Sequence, residues 1–256
     1  MKKLSLLLLA VCCFSIVSCE MFWGIKTVDS FILTYCKITN EATVRLSRDT
    51  HNDSLYLRVV FDSERIADAQ SMHGGTSYGD LYDSLRHAYN DVGYPKPYKT
   101  APTGDPSMLY PAVYTDEVHG IDIVSDMAWG QYAPGTSLNS LFTVEIASHF
   151  PYIESRYAPE YCIVDDSMGP GDYRDFYNNV YTDRYLYRIP LDEAKPEYFK
   201  MLDASLGIRL SVPLSEVPEN PKLTIIVTMQ DGRELKGYIS SIDGTKSGAS
   251  NVSLNN

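Results

Sequence analysis

No apolar run beyond residue 18 approaches the length of about eighteen residues that spans a bilayer as a helix, so the body of the chain does not cross a membrane that way. Basic residues are scarce: 22 Lys and Arg stand against 33 Asp and Glu, a formal net charge of −11 over 256 residues. A protein that wraps phosphate backbones or adheres through a polybasic face is therefore excluded, and no nucleic-acid partner is expected. Cys-x-x-Cys, His-Glu-x-x-His, P-loop and dinucleotide fingerprints are all missing, which leaves zinc and nucleotide chemistry without a motif and no cofactor expected. No internal repeat is present. Hydrophobic residues are plentiful: 44% against 21% charged is too apolar for disorder, and the length is ample for a core.

The densest apolar stretch lies at the N-terminus. Met1-Lys2-Lys3 precedes an apolar run from Leu4 to Val17 that only Ser5 and Ser15 interrupt. It is too short to span a bilayer, and residues 1–18 read as a secretory signal peptide. Its end, Ile16-Val17-Ser18-Cys19, resembles the lipobox of bacterial lipoproteins, with Ile16 where leucine is usual. The resemblance implies diacylglycerol on the Cys19 thiol and a membrane partner held through that lipid, with residues 19–25 as a tether. Two or three acyl chains anchor stably, at about 0.8 kcal/mol for each buried CH₂. Surface display in lipoproteins of Bacteroidetes-type bacteria goes with an acidic cluster after the cysteine. Glu20-Met21-Phe22-Trp23-Gly24 holds one acid, so the expected location is the outer membrane with the domain facing the periplasm. Losing residues 1–18 removes Lys2 and Lys3 and no acid, which leaves 20 basic against 33 acidic residues and a charge of −13.

The mature chain alternates apolar and polar residues with period two, the mark of half-buried strands. Ala42, Val44 and Leu46 share one face, as do Leu55, Leu57, Val59 and Phe61. Ile121 and Ile123 follow, then Phe142, Val144 and Ile146, and then Leu206, Ile208, Leu210 and Val212 with Arg209 and Ser211 opposite. Phe31 to Ile38 is apolar on both faces and is expected between covered surfaces. Leu223 to Met229 and Leu235 to Ile239 must join across Gln230-Asp231-Gly232. A two-residue turn would oppose Val227 with Lys236, whereas a three-residue loop with a left-handed Gly232 opposes Val227 with Leu235. The expected fold is all-β: an antiparallel β-sandwich, immunoglobulin-like or jelly-roll-like, with long loops. One helix is expected from a cap at Asp80 with Leu81, Leu85, Ala88, Tyr89 and Val92 on its apolar face, and a shorter one from Pro196 to about Leu202. A single domain over 26–243 is expected, with excursions over about 63–117 and 148–200 and a flexible tail at 244–256.

Seventeen of the twenty tyrosines lie between Tyr78 and Tyr198. Tyrosine presents an apolar face with a polar tip, suited to a glycan or protein partner or to packing loops on a sheet. Tyr173, Tyr177, Tyr185 and Tyr187 are the candidate binding residues, with Tyr185 and Tyr187 on one strand face. Gly75-Thr76-Ser77-Tyr78-Gly79 matches the nucleophile elbow of serine hydrolases, and His87, His119 and His149 are available as bases. The elbow needs a strand feeding a sharp turn, which Ser63 to Ser71 does not suggest. Asp165, Asp166, Asp172 and Asp175 fill an acidic glycine loop that supplies calcium-type oxygens without the EF-hand spacing, and Arg174 competes for them. The alternatives are a solvated acidic turn and a calcium-stabilised adhesion module. Cys12 and Cys13 leave with the signal, so Cys36 and Cys162 remain. They form either one disulfide, worth about 4–5 kcal/mol by chain entropy, or two buried thiols.

With its lipobox, the segment Pro134-Gly135-Thr136-Ser137-Leu138-Asn139-Ser140-Leu141-Phe142 and the terminal hairpin at Asp231-Gly232, the layout resembles the β-sandwich cell-envelope lipoproteins of Bacteroidales-type bacteria. That resemblance implies location and fold and attaches no reaction. The expected function is a non-catalytic binding or structural module.

Overall fold

The computed structural model describes residues 26–49, 54–73, 77–100, 111–158, 185–204, 208–218 and 222–239. The fold is all-β with few helices, built from antiparallel sheets. The strands are β1 (Lys26–Val28), β2 (Thr34–Asp49), β3 (Ser54–Asp68), β4 (Tyr98–Thr100), β5 (Ala112–Tyr114), β6 (Val118–Ser125), β7 (Thr143–Ser148), β8 (Tyr185–Pro190), β9 (Ile208–Pro213), β10 (Leu223–Met229) and β11 (Glu234–Ile239). Among the described residues two α-helices join them, α1 (Ser77–Ala88) and the short α2 (Phe150–Glu154). The expected segment at Pro196 is a 3₁₀ turn, Pro196–Phe199.

The chain divides into two compact units, Met1–Tyr35 with Ile66–Tyr110 and Cys36–Arg65 with Pro111–Asn256. Of the single domain expected over 26–243, the excursion expected at 63–117 supplies Ile66–Tyr110 of the first unit, where Tyr82, Asp91 and Tyr94 are buried.

In the first unit, β1 and β4 pair antiparallel. Phe31, Ile32 and Leu33 are fully buried ahead of β2, so their backbone groups need partners outside a ladder. Asp91 provides two of them: its carboxylate oxygens accept from the N–H groups of Phe31 and Ile32, each at 2.8 Å. The Tyr82 hydroxyl donates to the Ile32 carbonyl at 2.7 Å. Burial, more than the neighbouring Asp91 charge, pushes that phenol well above the usual tyrosine range. Tyr35 lies against the rings of Tyr82 and Tyr89, with centroids 5.6 and 5.9 Å away.

Helix α1 buries a face other than the one its leucines mark. Gly79 and Tyr82 are buried, while Leu81 is 39% exposed and Ala88 is exposed. A Cβ on Gly79 would sit 2.7 Å from the Ser71 carbonyl oxygen, so glycine is what lets the helix approach the 3₁₀ turn Ala69–His73. Arg86, on the same side, bridges Asp83 at 2.7 Å and Asp29 at 2.8 Å.

The second unit contains a three-stranded sheet in the order β11-β10-β6 and the six-stranded sheet β5-β2-β3-β9-β7-β8, of which β2 begins and β3 ends in the first unit. Leu55, Leu57, Val59 and Phe61 of β3, Val144 and Ile146 of β7 and Ile208, Leu210 and Val212 of β9 join one buried cluster with Ile121 and Ile123 of β6 and Leu223, Ile225 and Val227 of β10. The inward alternation read from the sequence therefore holds for these strands, while the side chains of Ala42, Val44, Leu46 and Leu206 lie outside the described residues. The terminal hairpin takes the three-residue register, Val227 opposite Leu235 and Leu223 opposite Ile239, with Gly232 at φ +87°.

Residues 134–142 cover the outer side of β6. Gly135 and Leu138 donate backbone N–H bonds to the carbonyls of Ser125 and Ile123, both at 2.7 Å. The Asn139 side-chain amide continues the pattern, accepting from Ile123 N–H at 3.0 Å and donating to the Ile121 carbonyl at 2.9 Å. A strand edge that would otherwise offer open hydrogen-bonding groups is closed in this way.

Candidate functional site

Cys19, Cys162, Tyr173, Tyr177, Asp165, Asp166, Asp172 and Asp175 lie outside the described residues, as do Gly75 and Thr76 of the serine motif. The residue expected to carry the lipid, the acidic glycine loop and the second cysteine considered for a disulfide are therefore outside the described structure. Cys36 is a free, half-buried thiol, and burial pushes its pKa up more than the nearby Arg65 lowers it.

Ser77 is the first residue of α1 and is exposed. Contrary to the sequence reading, Ser63 to Asp68 is strand, the end of β3, but the 3₁₀ turn Ala69–His73 lies between it and Ser77, whereas an elbow lifts its serine directly from the end of a strand. The second glycine of the motif, Gly79, has the packing role described above. Of the three histidines considered as bases, His87 lies exposed on α1, 3.8 Å from Asp83, and His119 is exposed on β6. His149 is buried in the second unit, where its Nε2 lies 3.1 Å from Oδ2 of Asp203, itself 4% exposed. The adjacent Ser148 hydroxyl donates to the Lys200 carbonyl at 2.6 Å and faces no imidazole. These contacts tie the end of β7 to residues 200–203 and build no nucleophile.

The tyrosines sort into two groups. Tyr82, Tyr94, Tyr114, Tyr152 and Tyr157 are buried and serve packing. Tyr114 makes a corner: its hydroxyl donates to the carbonyl of Ala204 at 3.1 Å, with that of Phe61 at 3.3 Å, and burial pushes the phenol up to about 12. Tyr187 is different. It lies on β8, at one end of the six-stranded sheet, and stacks on Tyr198 with centroids 4.2 Å apart and planes 25° from parallel. Both rings are half-buried and pack against the hydrophobic core of the second unit. The 3₁₀ turn holding Tyr198 is anchored by Phe199, 1% exposed, so the pair is presented on a fixed support. In the pairing of β8 with β7, Tyr185 stands opposite Ser148 and Tyr187 opposite Ile146, which places both tyrosines on one face as their spacing predicts. Tyr198 was missed by sequence reasoning, because nothing in spacing links a 3₁₀ turn to a strand eight residues earlier.

The other face of the same strands carries charge. Glu145 of β7, with a side chain 10% exposed, sits between Arg188 of β8 at 2.7 Å and Arg209 of β9 at 3.3 Å. Among the described residues, no group of three or more His, Cys, Asp or Glu side chains is placed to hold a metal ion. No family model matches the chain, and neither a curated protein nor a solved structure matches it.

Proposed function

We propose that this chain is a non-catalytic, lipid-tethered module of the bacterial cell envelope that binds a glycan or protein partner through tyrosines at the β8 end of its larger sheet. The observation that carries the binding reading is the stacked Tyr187–Tyr198 pair, half-buried and held by the core beneath it. Side chains kept flat and partly wet by packing beneath them lose little entropy on binding, which favours a partner with both apolar and hydroxyl surface. The segment entering β8 contains the further tyrosines at 173 and 177. The two sheets of the second unit, sharing one buried cluster, fit a β-sandwich of immunoglobulin-like or jelly-roll-like type. Location rests on the lipobox, with the outer membrane and its periplasmic side as the proposed site.

Each half has its own test. Cys19→Ala abolishes labelling by an alkynyl fatty acid in cells, and labelling that persists in the variant removes the anchor. For the tyrosine pair, retention on an immobilised polysaccharide panel is compared between the wild type, Tyr187→Ala and Tyr198→Ala. Each variant loses about tenfold in affinity for the retained polymer. Equal retention of all three proteins removes the pair from the binding surface.

A further inference from the structure

The charged face of β7, β8 and β9 is used by neither the core nor the tyrosine pair. Strand register sets Arg58 of β3, Arg209 of β9, Glu145 of β7 and Arg188 of β8 in one row, each directly opposite the next. They point away from the core, because their chain neighbours Leu57, Leu210 and Val144 point into it. In an acidic chain this row holds three guanidinium groups to one carboxylate. Glu145 meets each flanking arginine through a different oxygen, Oε1 with Nη2 of Arg188 and Oε2 with Nη1 of Arg209. A carboxylate held almost out of solvent thereby fixes two guanidinium groups on either side of it. The arginine side chains remain 57% and 45% exposed, and a guanidinium has five N–H donors, so most of theirs face water.

We infer that Arg188 and Arg209 bind the carboxylate of an otherwise neutral, hydroxyl-rich ligand, a uronic-acid-bearing oligosaccharide. The planar guanidinium fork matches a carboxylate in geometry as well as charge. Beside the charged row runs a second one, Tyr56 of β3, Ser211 of β9 and Thr143 of β7, whose hydroxyl-bearing side chains are half-exposed on the same face. The net charge of −11 sets the ligand's limits. A densely charged polyanion meets repulsion from the rest of the molecule, whereas one carboxylate in contact with two arginines lies within a Debye length of about 8 Å and is bound locally. Arg188 and Tyr187 project from opposite faces of β8, so this site stands or falls apart from the tyrosine pair.

Calorimetric titration of the purified full chain with glucuronosyl-xylotriose, a neutral trisaccharide bearing one uronic acid, beside its methyl ester, tests the site. The acid binds, and the ester, which keeps the hydroxyls and loses the charge, binds at least about tenfold more weakly. Arg188→Gln and Arg209→Gln each weaken glucuronosyl-xylotriose about ten- to hundredfold, while the glutamine amide can still donate to the nearly buried Glu145, and a cooperative melting transition in each variant separates lost binding from misfolding. Glu145→Gln keeps an acceptor for the arginines and removes the competing charge, so it binds several times more tightly, a gain that misfolding does not mimic. No binding by the wild type overturns the inference. So do equal affinity for the ester, undiminished affinity in both arginine variants, and weaker binding by Glu145→Gln.

Discussion

Asp91→Ala destabilises the protein by about 3–5 kcal/mol, the sum expected for two buried amides left without their charged acceptor. The carboxylate is fully buried and accepts from Phe31 and Ile32, whose N–H groups precede β2 and so lie outside its ladder. Truncation also opens space beside Phe31 and Ile32, which are themselves fully buried. Asp91→Asn restores one acceptor oxygen and turns an N–H donor toward the other amide, so it recovers only part of the loss. Urea unfolding measures the difference, and native-state hydrogen exchange locates it: the amides of Phe31 and Ile32 lose protection first. An Asp91→Ala protein within about 1 kcal/mol of wild type, with both amides protected, contradicts this account.

The second large effect comes from the buried pair in the other unit. His149→Leu removes the imidazole from Asp203 and leaves a carboxyl group in a site almost closed to water, at a cost of about 3–5 kcal/mol. The surroundings give it little room to relax. His149 N–H donates to the Met201 carbonyl and Asp203 N–H to the Ala147 carbonyl, so both backbones are held from either side. His149→Gln retains a donor and loses less. The double variant His149→Leu with Asp203→Leu is the sharper measurement, because replacing both partners by apolar side chains removes the buried carboxyl group together with the imidazole. It is expected to be more stable than His149→Leu alone. Chemical denaturation that finds the two single losses simply additive shows that the pair is not coupled.

Much of the strand framework was readable because burial in these sheets is one-sided. Leu55 to Phe61 and Leu223 to Met229 alternate in burial, with Val60 and Ile226 the apolar residues at outward positions, and a wrong hairpin register would have put Lys236 on the apolar face. Helix α1 shows where the same logic stops. Counting apolar residues selects Leu81, Leu85 and Ala88, yet the helix is docked by a glycine that permits contact and a tyrosine whose hydroxyl reaches a backbone carbonyl. Neither contribution scales with hydrophobicity. The division into two units was hidden for a related reason: its boundaries at Tyr35 and Arg65 fall inside β2 and β3, where no change of composition marks them. Of the candidate site, the shared face of Tyr185 and Tyr187 followed from spacing. The outward position of Arg209 was visible as well. Its meeting with Glu145 and Arg188 was not, since it depends on which strands become neighbours.

That neighbour order also dictates a sequence of events in synthesis. Every stretch of the first unit has been made by Tyr110, whereas β3 must wait for β9 and β6 for β10. A chain emerging amino end first therefore carries Leu55, Leu57, Val59 and Phe61 uncovered until most of its length has been made. During that interval the apolar row is an aggregation hazard for the growing chain.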